Sequence, residues 1–321
     1  MQRIINNLKL SLKKNPLLDT FLKNIYKPFF NPGNRLEERN AYNDGGYAPP
    51  GHFYSPIPSI AEIKSIENSI WGTIPRSLDG INMNEIGQLH LLSAFLKFYK
   101  ELPFEEHIKT GLRYYFENPN FSYADAISLF CMICLLKPTR IIEVGSGFSS
   151  CAILDTNQLF FDNRIKTIFI EPYPDTFLSL IREEDREAIN LISNNLQEVN
   201  TETFYSLDEN DILIIDSTHV SKIKSDVNYI FFDLLPKLNK GVYIHFHDIF
   251  YPFEYPKEWI YEGRAWNEAY LLRAFLQYND YFEIVFFNDF LGKFYRGLLE
   301  RDMPLYLRNT GGSIWLKKKM A

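Results

Sequence analysis

Short apolar runs alternate with helical spacing through the second half of the chain. Arg140-Ile-Ile-Glu-Val144 is an apolar run that breaks at Gly145-Ser-Gly147 and passes into apolar residues at helical spacing up to Leu154. That is the pattern of strand, tight turn and helix. Lys166–Ile170, Ile189–Ser193, Asp211–Ile215, Gly241–His247, Phe282–Phe287 and Gly312–Leu316 predict further strands. Thr176–Arg182, Asn228–Leu238 and Trp266–Tyr278 predict helices between them, and an apolar helix over Ala124–Leu136, capped by Ser122, precedes the first strand. Continuous apolar strands alternating with helices predict an α/β fold with a doubly wound, mostly parallel sheet covered on both faces.

The first part of the chain reads differently. Residues 1–30 permit a short amphipathic helix broken near Pro16, suited to packing on the main body, on a partner or on a membrane surface. The Gly-, Pro- and Asn-rich stretch after it predicts an extended arm. Helical spacing returns from Ile60 to Tyr99, with a helix opening at Asn82 and Glu85 in its first turn. The expected organisation is therefore an arm over 1–59, a helical lid or docking region over 60–122, and the α/β domain over 123–321. Gly111–Asp125 concentrates aromatic residues just before that domain. Two readings stay open for it: rings laid over a bound base or substrate, or rings filling a seam.

Composition narrows the class. A chain of 321 residues, 46% hydrophobic and 16% aromatic, holds ample material for a core, and its net charge of −6 argues against a general nucleic-acid binder. No apolar run is long enough for a transmembrane helix, and no signal peptide is read. Cys131, Cys134 and Cys151 make no disulfide framework, and the apolar surroundings of Cys131 and Cys134 favour buried structural thiols over a metal or redox pair. A cytoplasmic protein is the simplest expectation.

The candidate chemistry lies at strand ends. Glu143, Glu171, Asp216 and Asp248 all fall there, and ligands of open α/β sheets bind beyond the carboxyl ends of the strands. The turn after the first strand offers the free N–H groups of a helix start, and its glycines allow close approach. A dinucleotide fingerprint would place a third glycine where Ser150 stands, and Glu143 would repel a pyrophosphate. A carboxylate in the turn and another after the second strand suit adenosine joined to an ammonium or sulfonium group. This favours S-adenosylmethionine over NAD.

Glu143-Val-Gly-Ser-Gly147, Ile170-Glu171-Pro172, Ile214-Ile-Asp216-Ser-Thr-His219 and His245-Phe-His-Asp248 resemble the successive motifs of class I S-adenosylmethionine-dependent methyltransferases. The likeness runs from about Tyr123 to Leu316 and extends to a bacterial subgroup of unassigned substrate. It implies a Rossmann-like sheet of seven strands, the last antiparallel. It also implies Gly145, Ser146 and Gly147 against the methionine part of the cofactor, Glu171 on the ribose hydroxyls, and Asn195–Gln197 near the adenine. Glu143, Phe148, Ser149 and Asp216 complete the expected cofactor set.

Transfer from a sulfonium needs an in-line nucleophile and a base. Asp216, His219, His247 and Asp248 are the catalytic candidates, with His245 either functional or core. Asp216 and Asp248 occupy the places where some O-methyltransferases of this fold hold a divalent cation, although His247-Asp248 replaces their acidic-amide pair. The expected reaction is methylation, most readily at oxygen, of a small-molecule or sugar-like acceptor. Two other readings stay open: a non-catalytic nucleotide-binding protein, and an oxygenase holding iron on His219, His247 and a carboxylate. The aromatic loop from Ile249 to Trp259 is expected to form a substrate lid through Phe250, Tyr251, Phe253 and Tyr255, with a hydrophobic plug or a homo-oligomer contact as the alternative.

Overall fold

Seven strands form one sheet in the order β3-β2-β1-β4-β5-β7-β6. They are β1 Arg140–Val144, β2 Lys166–Ile170, β3 Asn190–Ile192, β4 Ile212–Ile215, β5 Tyr243–Phe246, β6 Phe282–Phe287 and β7 Ile314–Lys318. β1 to β5 run parallel, and β7 is antiparallel to both β5 and β6. This is the doubly wound sheet expected from the apolar runs, with the antiparallel last strand that the resemblance implied. The computed structural model describes residues 47–320, so the amphipathic helix read over 1–30 and the start of the arm lie outside the described residues.

The described residues divide into two units between Ile70 and Trp71. In the first, Ser59 caps the helix Ile60–Ser65 by accepting a hydrogen bond from the Glu62 amide. In the second, helices cover both faces of the sheet. Those that position the site are α1 Glu85–Tyr99, α2 Tyr123–Leu136, α3 Phe148–Phe161, α4 Asp226–Tyr229 and α5 Glu268–Leu276. α2 is buried from Tyr123 to Cys134 between α1 and α3, as a helix that is apolar all round must be. Cys131, Cys134 and Cys151 are free and buried, which agrees with structural thiols. Among the described residues no helix is long and apolar enough to cross a membrane.

Several local expectations shift. Ser122 takes the cap position of α2 but makes no cap hydrogen bond, because its hydroxyl accepts from the Asn309 side chain instead. The helix read from Asn82 starts at Glu85, after Asn84 turns through a left-handed conformation and donates to the Ile284 carbonyl. The helix read over Asn228–Leu238 breaks up into α4, a wide turn at Ile230–Leu234 and a tight one at Leu235–Lys237. Pro236, with no N–H to give, stands in that last turn.

Register aligns the strand ends. Val144 pairs with Ile170 on one side and with Ile215 on the other, and Ile215 pairs with Phe246. The residues just beyond these ends, Gly145, Glu171, Asp216 and His247, therefore stand in one row along the carboxyl edge. Sheet order reverses between β1 and β4, which opens the crevice there.

Candidate active site

The turn after β1 is built from backbone constraints. Gly145 has φ +84°, and a Cβ there would lie 1.7 Å from the Asp216 carbonyl oxygen. Only glycine fits that crossing of β1 and β4. Gly147 is extended, with open space around it. Ser150, which takes the place of a third glycine, accepts from the Gly147 amide at 3.0 Å and donates to the Glu143 carboxylate. Its hydroxyl ties the turn to the carboxylate behind it.

Glu143 is fully buried, and that burial pushes its carboxyl up to about 8 against the hydroxyl of Ser150. Glu171 accepts from the Ser146 amide at 3.2 Å and the Tyr173 amide at 2.8 Å, which fixes it beside the turn. Beyond it a cavity of about 360 Å³ is lined by Gly145, Glu171, Asn195, Gln197, Asp216 and Ser217 among others. Gln197 donates to the Lys224 carbonyl across its rim. Phe148 lies edge-on to Tyr115 and Ser149 is buried at the start of α3. Glu143 Oε1, Ser146 Oγ and Ser217 Oγ are buried without hydrogen-bond partners, so the crevice presents polar atoms that a polar ligand would satisfy. A larger cleft of about 720 Å³ lies at the amino end of β1 and β2, around Arg140 and Lys166. It lacks the row of strand-end residues.

The four candidate catalytic residues converge at the ends of β4 and β5. His219 Nε2 stands 3.3 Å from Asp216 Oδ1 and 3.5 Å from Asp248 Oδ2. His247 Nδ1 faces the other two oxygens, Asp216 Oδ2 at 3.4 Å and Asp248 Oδ1 at 3.6 Å. His219 and Asp248 both adopt left-handed backbone conformations, which non-glycine residues hold only where their surroundings enforce it.

Each imidazole is backed by a buried carboxylate. Glu268, at the start of α5, pairs with His219 Nδ1 at 2.8 Å, and Asp125, in the first turn of α2, stands 3.5 Å from His247 Nε2. Burial disfavours charge on His219, but Asp216 and Glu268 outweigh it and raise the ring to about 10. Burial likewise opposes charge on His247, and Asp248, Asp216 and Asp125 carry it well above its ordinary value. Asp216 is held well below the usual carboxylate range by His247 and His219 despite burial, whereas burial pushes Asp248 up.

The family model for a methyltransferase domain matches residues 142–249, from the second residue of β1 to just past Asp248. The chain belongs to the class I S-adenosylmethionine-dependent methyltransferases. An uncharacterised protein of Archaeoglobus fulgidus is 36% identical over 171 residues, covering 52% of this chain and 77% of that protein. Two solved structures align with lower identity. The S-adenosylhomocysteine-bound methyltransferase PaMTH1 of Podospora anserina is 13% identical, covering 85% of this chain and 99% of the other with a TM-score of 0.39. The O-methyltransferase TomG of Streptomyces achromogenes, involved in tomaymycin synthesis and solved with S-adenosylmethionine, is 12% identical, covering 80% and 96% with a TM-score of 0.38.

Other expected residues fall outside the methyltransferase's cluster. His245 is fully buried, bonded to Ser313 at 2.7 Å, and pushed down to about 3 by burial and by His247. It is a neutral core residue. The ligand atoms that lie within 4.8 Å of one another come from Asp216, His219 and Asp248. His247 Nδ1 faces the other two oxygens of the same carboxylates and is not among these atoms, so the set that meets at one point has a single histidine. In the loop after β5, Tyr251, Phe253 and Tyr255 are buried among Phe287, Phe290, Trp266 and Tyr270. These three rings form a plug rather than the expected lid, since rings packed this way offer no face to a substrate, while Phe250 is half-buried and edge-on to Trp259. Tyr114, Phe116, Phe121 and Tyr123 are buried too, so the aromatic stretch before the domain fills a seam.

Two residues at the site carry little sequence signal. Glu268 reads as an ordinary acid near a helix start. Asp125 reads as a first-turn acid, yet its Oδ1 accepts from Ser313 Oγ, the Gly312 amide and Asn288 Nδ2. Burial opposes its ionisation, but His247 and then the Ser313 hydroxyl hold its carboxyl below the ordinary value.

Proposed function

We propose that this methyltransferase moves the methyl group of S-adenosylmethionine to an oxygen of a small-molecule or glycan-like acceptor. The observation that supports this reading is the convergence of two carboxylates and two imidazoles at the ends of β4 and β5, next to the cavity beside β1 and β2. In this reading the backbone of Gly145–Ser149 and the carboxylate of Glu143 receive the methionine end of the cofactor. Glu171 takes the ribose hydroxyls, and Asn195 and Gln197 border the adenine. Residues 123–321 form the catalytic domain and 60–122 its docking region.

An acceptor hydroxyl placed between Asp216 and Asp248 lies within reach of the His247 ring. It gives its proton to His247 Nδ1, its oxygen bonds the methyl carbon, and the carbon–sulfur bond breaks to leave S-adenosylhomocysteine. Asp125 fixes the ring through Nε2. The carboxylate pair fits a divalent cation, with the unpartnered Nδ1 of His247 left beside it as the base. Such a cation would supply Lewis acidity for the hydroxyl and positive charge in place of the imidazole protons, which would leave the His247 ring neutral and able to accept.

The test is methyl transfer from radiolabelled S-adenosylmethionine to a panel of hydroxylated small molecules and sugars, with amine acceptors in parallel. Labelled methyl ethers, and a fall of about a hundredfold or more in kcat for His247→Gln with S-adenosylhomocysteine binding retained, are expected. Transfer to amines alone would sink the oxygen assignment.

A further inference from the structure

Among the acidic and imidazole groups at the carboxyl edge, His219 is distinguished by how it is held. Glu268 has no solvent exposure, and its Oε2 meets His219 Nδ1 at 2.8 Å. When Nδ1 carries the proton toward Glu268, the lone pair of the neutral ring is left on Nε2. This pairing of a ring N–H with a carboxylate is how proteins orient imidazoles that ligate metals. Trp266 lies against the ring at 4.4 Å between centroids and further limits its rotation.

The distances at Nε2 are informative. Asp216 Oδ1 at 3.3 Å and Asp248 Oδ2 at 3.5 Å are both longer than a good N–H···O hydrogen bond. They are close to the edges of a coordination shell. Two donors each about 2.1 Å from one ion, at tetrahedral or octahedral angles, stand about 3.0–3.4 Å apart. On the far side of the same carboxylates, His247 Nδ1 is buried without a hydrogen-bond partner and faces Asp216 Oδ2 and Asp248 Oδ1. An acidic pair alone would not mark a site; the pair is flanked here by an oriented imidazole and an unsatisfied buried nitrogen.

We infer that His219 Nε2 is a third protein ligand beside Asp216 and Asp248, and that Glu268 positions it, so that the site selects a borderline transition-metal dication over magnesium. The inference rests on the proposed cation at the two aspartates and adds the donor that decides its identity. Magnesium takes hard oxygen ligands in near-ideal octahedra, whereas an imidazole nitrogen suits iron, nickel, copper or zinc. Manganese, the hardest of the transition-metal dications, is the most stringent probe of that nitrogen against magnesium. Two carboxylate oxygens and one nitrogen leave positions open for acceptor oxygens.

The experiment uses full-length protein stripped with a chelator and saturated with S-adenosylhomocysteine, titrated calorimetrically with manganese or magnesium. Manganese is expected to bind at least about tenfold more tightly. Pulsed electron paramagnetic resonance of the manganese form should show coupling to an imidazole nitrogen. That coupling should vanish in His219→Gln and persist in His247→Gln, and the manganese preference should collapse in His219→Gln. Glu268→Gln should keep the coupling but weaken manganese binding by about tenfold or more.

Manganese bound without nitrogen coupling, or magnesium bound equally well, would overturn the assignment of His219 while leaving the cation at Asp216 and Asp248 in place. Binding of neither ion would overturn both. S-adenosylhomocysteine affinity in the same samples reports the cofactor site separately, and melting curves show whether each variant is folded.

Discussion

Gly145 and Gly147 lie one residue apart and answer to different constraints. Alanine at Gly145 would combine left-handed backbone with a Cβ 1.7 Å from the Asp216 carbonyl, so Gly145→Ala should cost at least about 2 kcal/mol in urea unfolding. Gly147→Ala meets extended backbone and open space, and its stability should stay within about 0.5 kcal/mol of wild type. If the cofactor approaches Gly147 as proposed, the same variant should bind S-adenosylhomocysteine more weakly; unchanged affinity would refute that approach. Glu143 adds a pH dependence. Its folded value of about 8 lies above its ordinary 4.5, so between those values the folded state holds a proton that the unfolded state has lost. Its contribution is complete below about pH 4, falls as pH rises, and is gone above about 8. Melting curves of the cofactor-free protein should therefore show Glu143→Gln gaining on wild type from pH 5 to pH 8, on the order of a few kcal/mol at the upper end. A parallel pH dependence for both proteins would refute it.

At the level of elements, β2 and β6 were legible to the residue because their apolar runs end at sharp polar or turn-forming neighbours. Helices Asn288–Phe294 and Arg296–Asp302, between β6 and β7, were not, because each is short and carries a glycine. The strand-end carboxylates were legible for the same reason as the strands. Asp125 and Glu268 were hidden because each reaches its histidine from a helix far away in sequence. Arg113 illustrates the same difficulty. It is buried, joins Asp155 on α3 to Asp185 on the helix Glu183–Ala188, and anchors the aromatic stretch to both. Arg113→Met would leave two buried carboxylates without their cation, and equilibrium unfolding should show a loss of about 3–5 kcal/mol. Burial opposes ionisation of Asp185, but Arg113 holds it below its ordinary 3.8. Its stabilisation is therefore present above about pH 4 and lost as pH falls through the lower, folded value. The deficit of Arg113→Met should shrink toward acid pH, and a deficit that grew there would contradict this.

For the molecule as a whole, the parallel register places one edge of the sheet at the disposal of two ligands. The cavity proposed for the cofactor opens between β1, β2 and β4, and the acidic cluster stands on β4 and β5, so Asp216 belongs to both. The aromatic loop after β5 is packed into the body, so ligand binding acts on a crevice whose walls already exist. A ligand that binds only the folded state stabilises it by mass action: at a hundredfold excess over its dissociation constant, by about 2.7 kcal/mol. S-adenosylhomocysteine should raise the melting temperature accordingly, by several degrees. NAD should leave it unchanged, because Ser150, tied to Glu143, stands where a pyrophosphate would need a third glycine. Glu171→Ala should remove the S-adenosylhomocysteine shift without lowering the melting temperature of the free protein by more than about one hydrogen bond's worth of stability, roughly 1–2 kcal/mol. Asp216→Asn should keep most of the shift, since its cavity-facing shape is conserved, while losing methyl transfer. Equal shifts with NAD and S-adenosylhomocysteine would mean that the crevice reads only the adenosine they share, and that the carboxylates of Glu143 and Glu171 do not choose between them.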